Sequence, residues 1–156
     1  MLFALLTSLS PLQSFTNLRI SHSGPSVRIK SQCGRRGYVK NILYENITAE
    51  DVAEAVWIDM QYGQKDPSTT CPASEVSAFT NITVRNLHAK SISKGGSAYM
   101  IVGLSVSAAK APPITGLTLE NITVAGKYTG KDVCRFADVK ATGMVPPLPS
   151  CKSDDF

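Results

Sequence analysis

Four short segments of this sequence can be laid over one another on an asparagine: Phe15-Thr16-Asn17-Leu18-Arg19-Ile20, Tyr44-Glu45-Asn46-Ile47, Phe79-Thr80-Asn81-Ile82-Thr83-Val84 and Leu119-Glu120-Asn121-Ile122-Thr123-Val124. Each carries an apolar residue two before the Asn and another directly after it. In three of them a β-branched residue follows three past the Asn: Ile20, Val84 and Val124. The Asn-to-Asn separations are 29, 35 and 40 residues. Each unit reads as a pair of short strands bending at the Asn, too small to bury its apolar face alone. Stacked units close a continuous core, which is the logic of a solenoid. An Asn at such a bend can hydrogen-bond the Asn above and below it. These asparagines are therefore read as ladder positions of one column.

Two solenoids compete for this pattern. A leucine-rich repeat needs L-x-x-L-x-L with shorter repeats, and Ile114-x-x-Leu117-x-Leu119 imitates it once. The Asn register and the uneven spacings fit an all-β parallel β-helix with variable loops better. Helix signals are slight, since Val52, Val56, Trp57 and Ile58 read equally well as strand. Pro112-Pro113 and Pro146-Pro147 mark breaks, and Gly95-Gly96 reads as a turn. The expected organisation is an apolar N-terminal segment over 1–13, β-helix rungs over 14–140 and a tail over 141–156. The run Leu2-Phe3-Ala4-Leu5-Leu6 is short and lacks a basic leader, so it is read as a faint secretion signal or a truncated start.

Composition narrows the partners. The net charge of +4 is spread along the chain, with no basic stripe interleaved with aromatics, which disfavours nucleic acid. No stretch approaches the roughly 20 apolar residues of a membrane span. The even set Cys33, Cys71, Cys134 and Cys151 has no CxxC spacing, so it points to disulfides in an oxidising compartment, with three pairings possible. A pairing of Cys134 with Cys151 would staple the tail at roughly 3 kcal/mol in the chain-entropy model. In a secreted protein the Asn-x-Thr sequons at Asn46, Asn81 and Asn121 are glycosylation candidates.

One segment carries recognition chemistry. In Val27-Arg28-Ile29-Lys30 the two cations alternate with apolar residues, so an extended strand projects both from one face. Side by side they repel unless an anion arrives between them, which makes Arg28 and Lys30 an anion-binding pair. A glycine-arginine turn, Gly34-Arg35-Arg36-Gly37, leads into the next strand.

Arg28-Ile29-Lys30, that turn, Tyr38-Val39-Lys40-Asn41-Ile42-x-Tyr44-x-Asn46-Ile47, Met60-Gln61-Tyr62, Gly116-Leu117-Thr118-Leu119-x-Asn121-Ile122 and the closing cysteine pair together resemble the C-terminal half of polygalacturonases, glycoside hydrolase family 28. The resemblance runs from about Phe15 to Cys151. It implies a right-handed parallel β-helix, a secreted or cell-wall location, a monomer, and polygalacturonate as the acidic polysaccharide bound. No cofactor or metal is implied. Arg28 and Lys30 match the family's substrate-binding cations and Tyr62 its active-site tyrosine. Arginine can grip a uronate carboxylate with two parallel N–H bonds, and lysine supplies a point charge.

The family hydrolyses with inversion, using acids around a trapped water. Its Asn-x-Asp, Asp-Asp and Gly-His-Gly motifs lie before the Arg-Ile-Lys strand, and this sequence has none of them; nothing before Arg28 is acidic. His22 reads as an exposed turn residue, His88 as facing out from a rung, and Asp51 and Asp59 as surface aspartates. The expectations are a truncated or inactive polygalacturonase, a non-catalytic β-helix that binds acidic polysaccharide, or a structural β-helix alone.

Overall fold

The computed structural model describes residues 12–64, 70–106 and 114–151. Most of the expected N-terminal segment, through residue 11, and the Pro112-Pro113 break lie outside the described residues. The described residues form eight strands: β1 (Gln13–Ser23), β2 (Val27–Lys30), β3 (Tyr38–Asp59), β4 (Ala78–Ala89), β5 (Ile92–Val102), β6 (Ile114–Val124), β7 (Val133–Arg135) and β8 (Ala137–Val145), with one 3₁₀ turn at Ala73–Glu75. Every strand pairing is parallel. This is a partial parallel β-helix. The Ala49–Trp57 stretch is strand throughout, and β8 runs past residue 140 to Val145.

The long strands bend rather than stop. Asn17, Asn41, Asn46, Asn81, Asn86 and Asn121 all take positive φ, between 51° and 58°. Asparagine is among the few side chains that tolerate this left-handed region. Between corners the alternation of the sequence sends apolar residues inward, and they stack in files through the turns: Ile42, Ile82 and Leu117; Ile47, Leu87 and Ile122; Ile29, Ile58, Ile101 and Cys134. Each of these side chains is buried. Burying an Ile or Leu fully is worth about 1.5–3 kcal/mol, so the files supply the main cohesion between turns.

The single Asn column expected from the sequence is instead two columns. Asn46 Nδ2 donates to Asn17 Oδ1 (3.2 Å), Asn86 Nδ2 to Asn46 Oδ1 (3.2 Å), and Asn121 Nδ2 to Asn86 Oδ1 (2.9 Å). Asn81 lies in the neighbouring column, donating to Asn41 Oδ1 at 2.7 Å. Gly116, at φ +62°, follows Asn81 in that column. Local sequence does not separate the columns because each full turn carries two look-alike corners, Asn41-Ile42 then Asn46-Ile47, and Asn81-Ile82 then Asn86-Leu87. Asn81-Ile-Thr-Val imitates Asn121-Ile-Thr-Val letter for letter, but inter-turn pairing of whole strands decides the register.

Gly95-Gly96, expected as a turn, is strand. Both glycines lie inside β5, where the register against β3 shifts between Val52 and Glu54. A Cβ on Gly96 would collide with the Ala53 carbonyl oxygen, so the turns approach here closely enough to exclude any side chain.

Candidate functional site: a cation and aromatic cluster

Strand β2 alternates as the sequence requires, with Val27 and Ile29 buried and Arg28 and Lys30 exposed. Its register against β3 sets Arg28 beside Trp57 and Lys30 beside Asp59. The Arg28 guanidinium carbon lies 4.3 Å from the Trp57 ring centroid and 5.2 Å from that of Tyr62. Lys30 Nζ lies 3.8 Å from the Tyr62 centroid. The two rings stand 6.0 Å apart, tilted by 57°. Cation–π contacts at such sites are worth about 0.5–1 kcal/mol each, rising when water is excluded.

Tyr62 comes from the loop that leaves β3. Its backbone N–H donates to the Ser31 carbonyl (3.1 Å), which ties the loop to the end of β2, and Gly63 at φ +75° turns the chain away. The structure thus brings Arg28, Lys30 and Tyr62 together. Among the described residues neither cation forms an ion pair; the ion pairs are Arg85–Glu45 and Lys90–Glu50.

Three further residues of the cluster were not singled out as functional from the sequence: Trp57, Asp59 and Gln61. Asp59 is not the surface aspartate expected. Its Oδ1 accepts the Gln61 backbone N–H (2.7 Å) and its Oδ2 accepts the Trp57 indole N–H (3.3 Å), in a half-buried setting. Gln61 is buried, and its Oε1 accepts from Arg135 Nη2 (2.8 Å) on β7. A signal was present in the sequence: the 29-residue step from Asn17 to Asn46, applied to Arg28 and Lys30, lands on Trp57 and Asp59.

The electrostatics follow from this packing. Burial pushes the Asp59 carboxyl above its ordinary 3.8, against the Gln61 amide, the indole N–H, Arg135 and Arg28, which all favour the anion. Glu54 is also raised above 4.5 by burial, with Arg28 opposing; its Oε2 is buried with no hydrogen-bond partner among the described residues. Tyr62 moves the other way. The Lys30 ammonium, and then the Arg28 guanidinium, favour its phenolate and pull the hydroxyl below 10.0.

Two disulfides frame the cluster. Cys33–Cys71 ties the loop after β2 to the segment beyond Tyr62, and Cys134–Cys151 ties the tail to β7, next to Arg135. The histidines lie elsewhere: His22 is exposed at a corner, and His88 faces out with its Nδ1 2.7 Å from the Thr123 hydroxyl. Asp51 is exposed at a corner and accepts from the Ser93 hydroxyl (2.8 Å). Among the described residues no group of three or more His, Cys, Asp or Glu could hold a metal ion, and no helix is long and apolar enough to cross a membrane.

Comparison with known proteins bears on this geometry. The family model of the Glycosyl hydrolases family 28 matches residues 13–143. A polygalacturonase of Ralstonia nicotianae is 34% identical over 113 residues, covering 72% of this chain and 20% of that protein. An exopolygalacturonase of Zea mays is 35% identical over 115 residues, covering 70% of this chain and 26% of its own length. A probable polygalacturonase of Arabidopsis thaliana is 28% identical over 139 residues, covering 87% and 29%. The chain therefore spans between a fifth and three tenths of the length of these curated relatives. No solved structure matches. With a matched stretch that takes in β1 through most of β8 and the whole cation cluster, the chain belongs to glycosyl hydrolases family 28.

Proposed function

We propose that this chain is the polymer-gripping part of a polygalacturonase, acting on the α-1,4-linked galacturonate backbone of pectin. The observation that carries the reading is the pair Arg28 and Lys30: exposed, projecting from one strand face, backed by aromatic rings and, among the described residues, engaged in no ion pair. A polyuronate supplies one carboxylate per sugar, matching a guanidinium fork next to an ammonium. Tyr62 stands beside both cations and offers a ring face and a hydroxyl to the sugar.

Inverting hydrolysis needs a general acid and a general base that activates water. In polygalacturonases these belong to motifs preceding the Arg-Ile-Lys strand, and this sequence carries no such motif. Asp59 is poorly suited to replace them, since both its oxygens accept N–H groups. The chain as written is proposed to bind polygalacturonate without cutting it. Two disulfides suit a secreted, cell-wall setting. Asn46, Asn81 and Asn121 are proposed as ladder positions first and glycan acceptors second, because the Nδ2 that would carry a sugar already donates to a neighbouring Asn.

Calorimetric titration with oligogalacturonate tests the grip. Affinity should fall with rising salt and drop in the Arg28→Ala, Lys30→Ala double variant; unchanged affinity in that variant refutes the reading. Reducing-sugar release from polygalacturonate tests the second part, and measurable turnover by this chain would overturn it.

A further inference from the structure

Arg28 rests on Trp57, and Trp57 is itself tethered. Its indole N–H donates to Asp59 Oδ2 (3.3 Å), while Asp59 Oδ1 holds the Gln61 backbone N–H (2.7 Å), one residue before Tyr62. Lys30, the register partner of Asp59, directs its ammonium to the Tyr62 ring at 3.8 Å. The carboxylate thus has each oxygen occupied by an N–H donor from β3 or its exit loop. A carboxylate bridged to these cations would compete with an anionic ligand. One committed to N–H groups leaves the cations to the ligand and still fixes the ring beneath the guanidinium.

We infer that Asp59 is a positioning residue for the anionic-sugar grip, acting through Trp57 to hold Arg28 in place, and that Trp57 forms part of the binding face. The inference rests on the polygalacturonate-binding reading above. Stacking on an indole uses the flat face of a guanidinium and leaves the N–H donors at its edge for a carboxylate. Holding a long, rotamer-rich side chain in that pose before the ligand arrives lowers the ordering cost of binding. Arg135 contributes from β7 by fixing Gln61 (2.8 Å), which keeps the Asp59–Gln61–Tyr62 corner in one shape.

Trp57 is the only tryptophan in the sequence, so tryptophan emission reads this position alone. The experiment titrates the full chain with trigalacturonate, following emission and calorimetry, and measures quenching of the free chain by iodide and by neutral acrylamide. Emission should change saturably on binding, and iodide should quench in excess of acrylamide because Arg28 gathers anions over the ring. Removing the charged acceptor in Asp59→Ala should weaken trigalacturonate binding about tenfold and erase the iodide excess. Asp59→Asn, which keeps an acceptor oxygen without the charge, should lose only about two- to threefold and retain part of the excess. Should Asp59→Ala fail to fold, Asp59→Asn and Trp57→Phe decide. Trp57→Phe keeps a ring face but cannot donate to Asp59, and is expected to lose affinity by calorimetry.

The inference is overturned if the Asp59 variants bind as the wild type and keep the full iodide excess, while Arg28→Ala loses binding. In that case the grip reading stands without the positioning role. If Arg28→Ala leaves affinity unchanged, the grip reading fails instead. The iodide measurement on the unliganded chain then still decides whether Asp59 sets the Arg28–Trp57 stack.

Discussion

Lys30 and Asp59 are register neighbours on adjacent strands, opposite in charge, and they form no ion pair with each other. The lysine turns to the Tyr62 ring and the aspartate to two N–H groups. Leaving it unmade keeps the Lys30 ammonium exposed on the same strand face as Arg28.

The first consequence concerns Tyr62, whose hydroxyl is held below 10.0 chiefly by Lys30. Ultraviolet difference titration of the wild type, with Tyr62→Phe identifying the step, should show this phenol ionising before Tyr44, Tyr99 and Tyr128, which burial raises. Lys30→Ala should move the step back toward 10.0. Oligogalacturonate, which brings negative charge beside the phenolate, should also raise it. A Tyr62 step that ignores Lys30→Ala would mean the ammonium does not lie over the ring in solution.

Arg28→Lys tests whether charge alone suffices at the face of Trp57. Lysine keeps the cation but loses the planar stack and the bidentate fork. Binding of trigalacturonate should weaken by about 1–2 kcal/mol, with its salt dependence preserved. Urea midpoints should barely change, since the residue is exposed. Full affinity in Arg28→Lys would reduce the site to a point charge.

Stability should depend on pH through Asp59 and Glu54, both raised by burial above their ordinary 3.8 and 4.5. In the window between the ordinary and the raised values the folded chain holds more protons than the unfolded one. Stability from these groups is therefore full below the window and is lost as pH rises through the raised values. Urea unfolding across that window should show a falling component that Asp59→Asn flattens. A wild type and an Asp59→Asn variant with parallel pH profiles would contradict the burial of this carboxyl.

Asn86 links two other asparagines, donating to Asn46 and accepting from Asn121, at φ +54°. Asn86→Ala loses both hydrogen bonds and leaves a Cβ in the left-handed region, at about 2–4 kcal/mol. Asn86→Gly loses the bonds but suits the backbone, so it should cost about 1–2 kcal/mol. The order of urea midpoints, wild type then Gly then Ala, checks the ladder. Equal and small losses would mean that the corner is held by strand pairing alone.

Much of this was legible in the sequence, for identifiable reasons. A solenoid repeats its instructions, so the apolar files and the Asn bends announced stacked strands, and alternation in Val27-Arg28-Ile29-Lys30 fixed which side chains face out. Column membership was not legible at Asn81, because the two corners of one turn look alike locally and only whole-strand pairing tells them apart. Asp59 was misjudged for a related reason: its burial comes from neighbours on other turns. The 29-residue step would have exposed its partner Lys30, but the Gln61–Arg135 contact joins residues 74 apart through a strand that no repeat marks.

The successive steps of the Asn column, 29, 40 and 35 residues, are unequal although the column is continuous. Asn17 to Lys30 and Asn46 to Asp59 are stretches of equal length. The surplus of the second turn therefore falls after Asp59, in the excursion that begins with Tyr62 and is gathered in by Cys33–Cys71 before β4 resumes. Length can be added there without moving a corner or a cation. The frame thus fixes where the cation pair stands, while the rim beside it can lengthen without any rebuilding of what it stands on.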